Sequence, residues 1–173
     1  MRLARYSVPL LLLTAVVFVR SAMAQDLSPD AATRSEIFAL VAAEDKAWNS
    51  GNAEEFGARV LPNVVFTNIV GMFTVGREPF LRQHRTIFST IYKGSTNHQT
   101  VQHITLLKPD VAIVDTLSVV RGAQHVLPGI QLIDGAIHTR LEQVLVRRKD
   151  GWWVASFHNV AVNPVADQPP PTQ

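Results

Sequence analysis

The stretch Trp152-Trp153-Val154-Ala155-Ser156-Phe157-His158-Asn159-Val160 is the part of the chain that decides the fold. It follows the turn sequence Lys149-Asp150-Gly151, and the first arm of the hairpin, from Ile137 to Arg148, precedes that turn. An Asp-Gly pair between two runs of β-branched and aromatic residues predicts a β-hairpin. The returning strand is apolar on both faces until His158 and Asn159, so we expect its sheet to be covered on both sides.

Three helices are predicted ahead of the long strands. Ser28-Pro29-Asp30 marks the start of the first helix, and Asn52 caps a short second one. The third opens at Gly76-Arg77-Glu78-Pro79, and one face of it carries Phe80, His84, Phe88 and Ile91. A break at Pro62-Asn63 and a strand from Val64 to Val70 separate the second helix from the third.

Long antiparallel strands make up most of the remaining chain. They are predicted at residues 95–107 and 111–121, and an irregular insert at 122–136 leads to the closing hairpin. Helices first and antiparallel strands afterwards predict an α+β domain, with the helices on one face of a curved sheet. The insert is long enough to serve as a lid or rim.

The N-terminus has the pattern of a secretory signal peptide. Arg2 and Arg5 precede an apolar run from Val8 to Val19, and Ala22-Met23-Ala24 is a small-x-small cleavage site. An uncleaved membrane anchor is the alternative, but the run is short for a span. We therefore predict a signal peptide at 1–24, one domain at 25–163, and a disordered proline-rich tail at 164–173. The mature protein would be periplasmic or secreted, with no membrane attachment after cleavage.

Charge and composition exclude several function classes. The precursor has 16 Lys and Arg against 14 Asp and Glu, but three of the arginines lie in the leader. The mature chain is therefore slightly acidic, and the basic precursor gives no support for a nucleic-acid partner. The chain has no cysteine, which excludes disulfides and thiolate chemistry.

Several stretches resemble the nuclear-transport-factor-2-like superfamily. The segment Glu44-Asp45-Lys46-Ala47-Trp48-Asn49-Ser50-Gly51-Asn52 is similar to the exit of its first helix. Residues 66–72, 76–85 and 155–159 resemble the SgcJ/EcaC-type branch, which is related to SnoaL-like and ketosteroid-isomerase-like proteins. The resemblance spans nearly all of residues 33–163.

This resemblance implies a conical half-barrel. A strongly bent, mostly antiparallel sheet would wrap the N-terminal helices and leave an internal apolar cavity. It also implies a homodimer formed through the outer sheet face, which would cover the second apolar face of the hairpin. Because the superfamily holds both enzymes and binding proteins, the fold alone assigns no reaction. No dinucleotide-binding turn or other cofactor pattern occurs in the sequence, so we expect no cofactor.

His84, His158 and Asp115 are the catalytic candidates. His84 lies on the apolar face of the third helix, where it is either an acid/base group or a core histidine bonded to backbone. Neighbours on a strand face opposite ways, so only one of His158 and Asn159 reaches the cavity. A two-residue turn at Asp150-Gly151 would pair His158 with Gln143, and we favour His158 as the cavity residue over a role at a dimer interface.

Asp115 interrupts the apolar strand Val111 to Leu117. A desolvated aspartate of raised pKa would suit proton abstraction next to a carbonyl group. The alternative is a salt bridge to Arg140 or to another basic residue on the next strand. Arg140 is also a candidate ligand-binding residue. Ketosteroid-isomerase-like chemistry further implies a tyrosine donor from the first helix, where this chain has Trp48 instead.

The other candidate binding residues are mostly aromatic: Trp48, Phe56, Phe66, Phe88 and, as a polar residue in an apolar strand, Asn68. Core packing is the alternative explanation for the aromatic side chains. Metal binding is not expected, because no histidine spacing suits it.

We therefore predict a small-molecule-binding protein for an apolar ligand. It would be either a cofactor-free isomerase, cyclase or dehydratase acting on a hydrophobic carbonyl compound, or a non-catalytic binding or dimeric assembly module.

Overall fold

The computed structural model describes residues 28–165. The predicted signal peptide and the tail from residue 166 lie outside these residues. The helices are α1 (Ala31–Asn49), α2 (Ala53–Phe56) and α3 (Arg77–Ser89). The strands are β1 (Val60–Thr67), β2 (Phe73–Val75), β3 (Thr96–Lys108), β4 (Val111–Arg121), β5 (Leu132–Ile133), β6 (Ala136–Arg148) and β7 (Gly151–Ala161).

One strongly curved sheet with the strand order β2-β1-β7-β6-β4-β3 forms the body of the protein, and β5 pairs with β6. Every pairing is antiparallel except that of β1 with β7. The sheet does not close on itself, and the helices lie on its concave side. The predicted α+β half-barrel is therefore confirmed.

Helices α1 and α2 begin where the sequence supplies capping side chains. The Asp30 carboxylate accepts from the backbone N–H of Thr33 at 2.7 Å, and the Asn52 side chain accepts from the backbone N–H of Glu55 at 3.1 Å. Each cap satisfies a donor that the first helical turn leaves unpaired. On α3, Phe80, His84 and Phe88 are all buried, as their spacing predicts.

Strand β1 begins earlier than expected. It starts at Val60 and continues through Pro62, where the sequence predicted a break. Proline lacks the N–H needed for a regular ladder, and the pairing of β1 with β7 is irregular between Val60 and Val65. The strand therefore accommodates Pro62 at an irregularity rather than ending there.

The closing hairpin has a different register from the predicted one. Arg148 pairs with Gly151, so the two turn residues are Lys149 and Asp150, and Gly151 takes a positive φ of 113°. Further along, Leu145 pairs with Val154 and Val144 with Ser156. Ala155 is therefore an extra residue in β7, which is a β-bulge.

This bulge determines which side chains of β7 face inward. Trp152 and Val154 are buried on one side of Ala155, and Phe157 is buried on the other. Without the extra residue, strict alternation would turn Phe157 outward and His158 inward. His158 instead pairs with Glu142, and Phe157 with Gln143.

None of the helices in residues 28–165 is both long and apolar enough to cross a membrane.

Candidate functional site

A cavity of about 90 Å³ lies between the concave face of the sheet and the helices α1 and α3. Its apolar wall comes from helices and strands alike, and Leu127 of the 122–136 segment also lines it. A hydrogen bond holds that segment in place: the backbone N–H of Gln124 donates to the carbonyl of Ile91 at 2.7 Å. The insert predicted as a lid or rim therefore forms part of the cavity wall.

Aromatic rings surround His84 in this wall. The ring centroids of Phe80, Phe56, Phe66 and Phe88 lie 4.1, 4.8, 5.4 and 5.7 Å from the imidazole. Phe80 also stacks nearly parallel on Phe157 at 5.1 Å. The histidine is thus held in a hydrophobic shell on the cavity side of α3.

The protonation state of His84 follows from this environment. Its Nδ1 lies 2.8 Å from the backbone carbonyl oxygen of Phe80, which can only accept, so Nδ1 carries the hydrogen. Burial lowers the pKa of His84 to about 4, although the bond to Phe80 works in the opposite direction. His84 is therefore neutral near pH 7, and its Nε2 is a hydrogen-bond acceptor.

Glu44 is buried behind the cavity floor. Both of its carboxyl oxygens accept from the side-chain amide of Gln143, at 2.8 and 3.0 Å, and one lies 3.4 Å from Gln99 Nε2. Burial raises the pKa of Glu44 to about 8; the bonds from Gln143 and Gln99 lower it, and the charge of Asp45 raises it further. Glu44 is therefore largely protonated at neutral pH.

The proton on Glu44 has an acceptor within reach. Gln143 Oε1 is buried without a hydrogen bond, and turning the amide over would bring this oxygen to the Glu44 carboxyl. The Glu44–Gln143 pair can thus hold either protonation state, but only the neutral one avoids a buried charge.

A polar chain links Glu44 to the cavity lining. Gln99 contacts Glu44, and its backbone N–H donates to Asp45 at 2.8 Å. Asn97 donates to Asp45 at 3.2 Å and accepts from the Ser118 hydroxyl at 2.6 Å. Because Gln99, Asn97 and Ser118 all line the cavity, its floor is polar and rigidly bonded.

Three fully shielded polar atoms on cavity-lining residues lack a partner among residues 28–165. They are Asn159 Oδ1, Gln83 Oε1 and Thr139 Oγ1. A buried polar group without a hydrogen bond costs about 1–3 kcal/mol. Because their residues line the cavity, a change of side-chain rotamer would present these groups to a ligand.

Five predicted residues line the cavity: His84, Trp48, Phe56, Phe66 and Asn68. The Trp48 indole N–H is already bonded to the Ser95 hydroxyl at 3.1 Å, and Asn68 Oδ1 accepts from the backbone N–H groups of Val70 and Met72. Phe88 does not line the cavity and instead packs behind it, 5.0 Å from the Trp48 ring. The indole N–H of Trp48 and the side-chain oxygen of Asn68 therefore form hydrogen bonds within the protein.

Asp115, His158 and Arg140 lie on the other side of the sheet. They line a shallow hollow on the convex face, together with Glu142 and Val160. The preference for His158 as the cavity residue is wrong, because the bulge at Ala155 turns Asn159 inward and leaves His158 exposed. The convergence expected of Asp115 and His158 with His84 does not occur, since the sheet separates them.

The sequence reasoning missed Glu44, Gln99 and Gln143. A signal for Glu44 was present, because it falls at helical spacing among the buried Ile37, Leu40, Val41 and Ala47. Gln143 likewise alternates with Leu141 and Leu145 on the buried face of β6. A polar residue at a core position of two separate elements predicts a buried pair.

Metal-ligating side chains are dispersed in the described part of the chain. Within residues 28–165 no three His, Asp or Glu side chains come together as a potential metal site.

Solved structures with the same fold were found by comparison. A protein with a cystatin-like fold from Caulobacter vibrioides is 27% identical, with a TM-score of 0.67 over 78% of this chain and 93% of that chain. An NTF-2-like protein of unknown function from Shewanella oneidensis is 15% identical, with a TM-score of 0.61 over 73% and 98%. A ketosteroid isomerase-like protein from Erwinia carotovora atroseptica is 16% identical, with a TM-score of 0.58 over 75% and 96%.

No family model and no curated protein matches the sequence. The structural neighbours nevertheless have the fold that the resemblance read from the sequence implies. They do not single out the SgcJ/EcaC-type branch.

Proposed function

We propose that this chain, which has the fold of the nuclear-transport-factor-2-like proteins, binds a small and largely apolar molecule in its cavity. The observation that carries the proposal is a cavity with an aromatic wall, a polar floor formed by Asn97, Gln99 and Ser118, and the neutral imidazole of His84. Ligand pockets are mostly apolar and have a few convergent polar groups that orient the ligand. His84 and the floor residues Asn97, Gln99 and Ser118 provide such polar groups in this cavity.

Binding is a better-supported proposal than proton transfer. Asp115 and His158 lie across the sheet from the cavity, and Glu44 is separated from it by Gln99 and Gln143. A general acid or base must come within hydrogen-bond reach of the reacting group. Among the three residues proposed as catalytic, only His84 meets that requirement.

Ligand-dependent melting shifts test the proposal. We expect at least one compound in a panel of hydrophobic ketones, acids and alcohols to raise the melting temperature of the wild-type protein by several degrees. The substitution Leu141→Trp should abolish the shift, because Leu141 lines the cavity and a larger side chain would fill it. Leu107→Trp is the matched control, since Leu107 is 53% exposed on β3.

The outcome that contradicts the proposal is equally specific. A wild-type protein that responds to no compound, or a Leu141→Trp variant that keeps the full shift, would show that the cavity is not a binding site.

We also propose a homodimer through the convex sheet face. Ile113, Leu117 and Val119 are only half-buried there, and Val160 is 62% exposed. Asp115 and Arg140 on the same face provide charges of both signs, which suits a surface that meets its own copy. The assembly function proposed as the alternative to binding depends on this face.

The dimer is tested by measuring mass in solution. We expect a dimer by light scattering, and we expect Val160→Glu to give a monomer because the interface would have to bury the added carboxylate. Val165→Glu is the control, at a residue that is 78% exposed beyond the end of β7. A wild-type monomer, or a Val160→Glu dimer of unchanged affinity, would refute this interface.

Export is a further proposal. N-terminal sequencing of the protein from the periplasm or medium should begin at Gln25, and an intact N-terminus there would contradict cleavage after Ala24.

A further inference from the structure

His84 is a cavity-lining residue whose Nε2 has a fixed hydrogen-bonding role. The amides of Gln83 and Asn159 can be turned over, and the Thr139 hydroxyl rotates, so each of these groups can either donate or accept. His84 has no such freedom. Its Nδ1–H is committed to the Phe80 carbonyl, 2.8 Å away, which leaves Nε2 able only to accept.

The acceptor has no partner from the described part of the protein. Among residues 28–165 no donor bonds to His84 Nε2, and the groups around the imidazole are the rings of Phe56, Phe66, Phe80 and Phe88. His84 is itself one of the residues that line the cavity. A ligand is therefore the natural source of its missing donor.

The surrounding rings select a flat ligand. Phe56, Phe80 and Phe157 lie nearly parallel, with interplanar angles of 3°, 19° and 20°. A planar ring stacks on such faces better than a bulky aliphatic group does. At about 10–15 Å³ for one water position, a cavity of about 90 Å³ holds a molecule of one or two rings.

We infer that the cavity selects planar aromatic alcohols, with the ligand hydroxyl donating to Nε2 of His84. A ligand carbonyl or methyl ether oxygen at the same place is itself an acceptor, so it could form no hydrogen bond with Nε2. This inference rests on the proposed binding function and narrows its ligand class. It also replaces the carbonyl compound expected from the sequence with a hydroxylated one.

Three naphthalenes that differ in one substituent test this selection. We expect 2-naphthol to bind the wild-type protein about tenfold more tightly than 2-methoxynaphthalene or 2-acetylnaphthalene, measured by titration calorimetry near pH 7. His84→Phe should lower the 2-naphthol affinity to the level of the ether and leave the ether affinity nearly unchanged. Phe88→Leu, which alters a ring next to His84 without removing an acceptor, should affect all three compounds equally.

A second readout uses the wild-type protein and does not depend on the folding of any variant. In nitrogen-15 NMR spectra, the Nε2 resonance of His84 should move to lower frequency with 2-naphthol, as expected for a nitrogen that accepts a hydrogen bond. It should not move in this way with the ether. The neutral ring is maintained at this pH, because burial keeps the pKa of His84 near 4.

The possible outcomes distinguish failure of the hydroxyl selection from failure of the proposed binding function. Equal affinities for the three naphthalenes, or an unchanged preference in His84→Phe, overturn the hydroxyl selection while the cavity remains a binding site. If none of the three naphthalenes binds but another compound in the melting panel does, the hydroxyl selection is also overturned. Failure of the three naphthalenes and of the whole panel overturns the binding function itself.

Discussion

Replacing Glu44 by Gln is expected to make the protein progressively more stable than the wild type as the pH rises from about 4.5 to about 8. Burial raises the pKa of Glu44 from its ordinary 4.5 to about 8 in the folded protein. Between these values the folded chain holds a proton that the unfolded chain has released. Stability is therefore lost as the pH rises through this interval, and the isosteric amide removes that loss.

The expected effect is large. The stability difference between Glu44→Gln and the wild type should grow by up to about 1.4 kcal/mol per pH unit, and reach about 3–5 kcal/mol above pH 8. Two other buried or half-buried groups also titrate. Asp45, whose pKa is raised by burial, also lowers the stability as the pH rises. His84 instead raises the stability as the pH rises from about 4 to its ordinary 6.5.

Comparing variant and wild type at each pH removes most of the shared contribution of His84. The measurement is urea unfolding followed by tryptophan fluorescence from pH 5 to pH 9. Glu36→Gln is the control on the same helix, because Glu36 is exposed and pairs with Arg147 at 2.7 Å. It should cost less than about 1 kcal/mol and show no such growth with pH. A Glu44→Gln difference that stays constant with pH would contradict the buried protonated state.

Replacing Phe80 by Ala is expected to destabilise the protein by about 3–5 kcal/mol. Phe80 is fully buried, and its ring contacts Phe66 and Phe157 at 5.1 Å and His84 at 4.1 Å. Removing it deletes apolar burial and leaves a void that the rigid sheet cannot fill. Because total stabilities are typically about 5–15 kcal/mol, the variant should be close to unfolding.

The control for Phe80→Ala is another phenylalanine on a helix. Phe38 is 44% exposed and contacts the Arg34 guanidinium at 6.0 Å, so Phe38→Ala should cost less than about 1 kcal/mol. Urea unfolding of both variants gives the comparison. Equal losses for the two, or a loss below about 1 kcal/mol for Phe80→Ala, would show that the aromatic cluster is not the centre of the core.

Sequence patterns that depend on neighbouring residues predicted most of the fold. The Asp30 and Asn52 caps, the Phe80-His84-Phe88 face and the Asp-Gly hairpin each depend on residues close together in the sequence. Helix spacing and strand alternation report such local geometry directly. The same patterns also predicted five of the cavity-lining residues, because aromatic side chains on inward faces meet at the centre of a curved sheet.

The orientation of the last strand could not be predicted in this way. Nothing in Ala155 itself marks it as a bulge, since small residues fit regular strands as well. The bulge arises from the fit of β7 between two neighbours, β6 on one side and β1 on the other. One extra residue then moved His158 from the predicted cavity face to the convex face.

The buried polar pair shows a different limit. Glu44 and Gln143 are 99 residues apart in the chain, and each alone resembles an ordinary polar interruption of an apolar pattern. Only their contact explains why both are tolerated in the core. The cavity floor was therefore missed although its individual residues had a visible signal.

The central position of β7 has a consequence for how the chain becomes folded. Among the strands of residues 28–165, β7 is the last to be synthesised, yet it supplies the hydrogen-bonded link between the β2-β1 pair and the β6-β4-β3 group. A nascent chain that ends before Gly151 therefore has two separate strand groups, and neither can complete the wall around Phe80. Contacts between β1 and β7 also span most of the sequence, which slows folding by raising the contact order. We therefore expect the chain to remain without its native core until synthesis has passed Ala161, and to fold cooperatively only after that point.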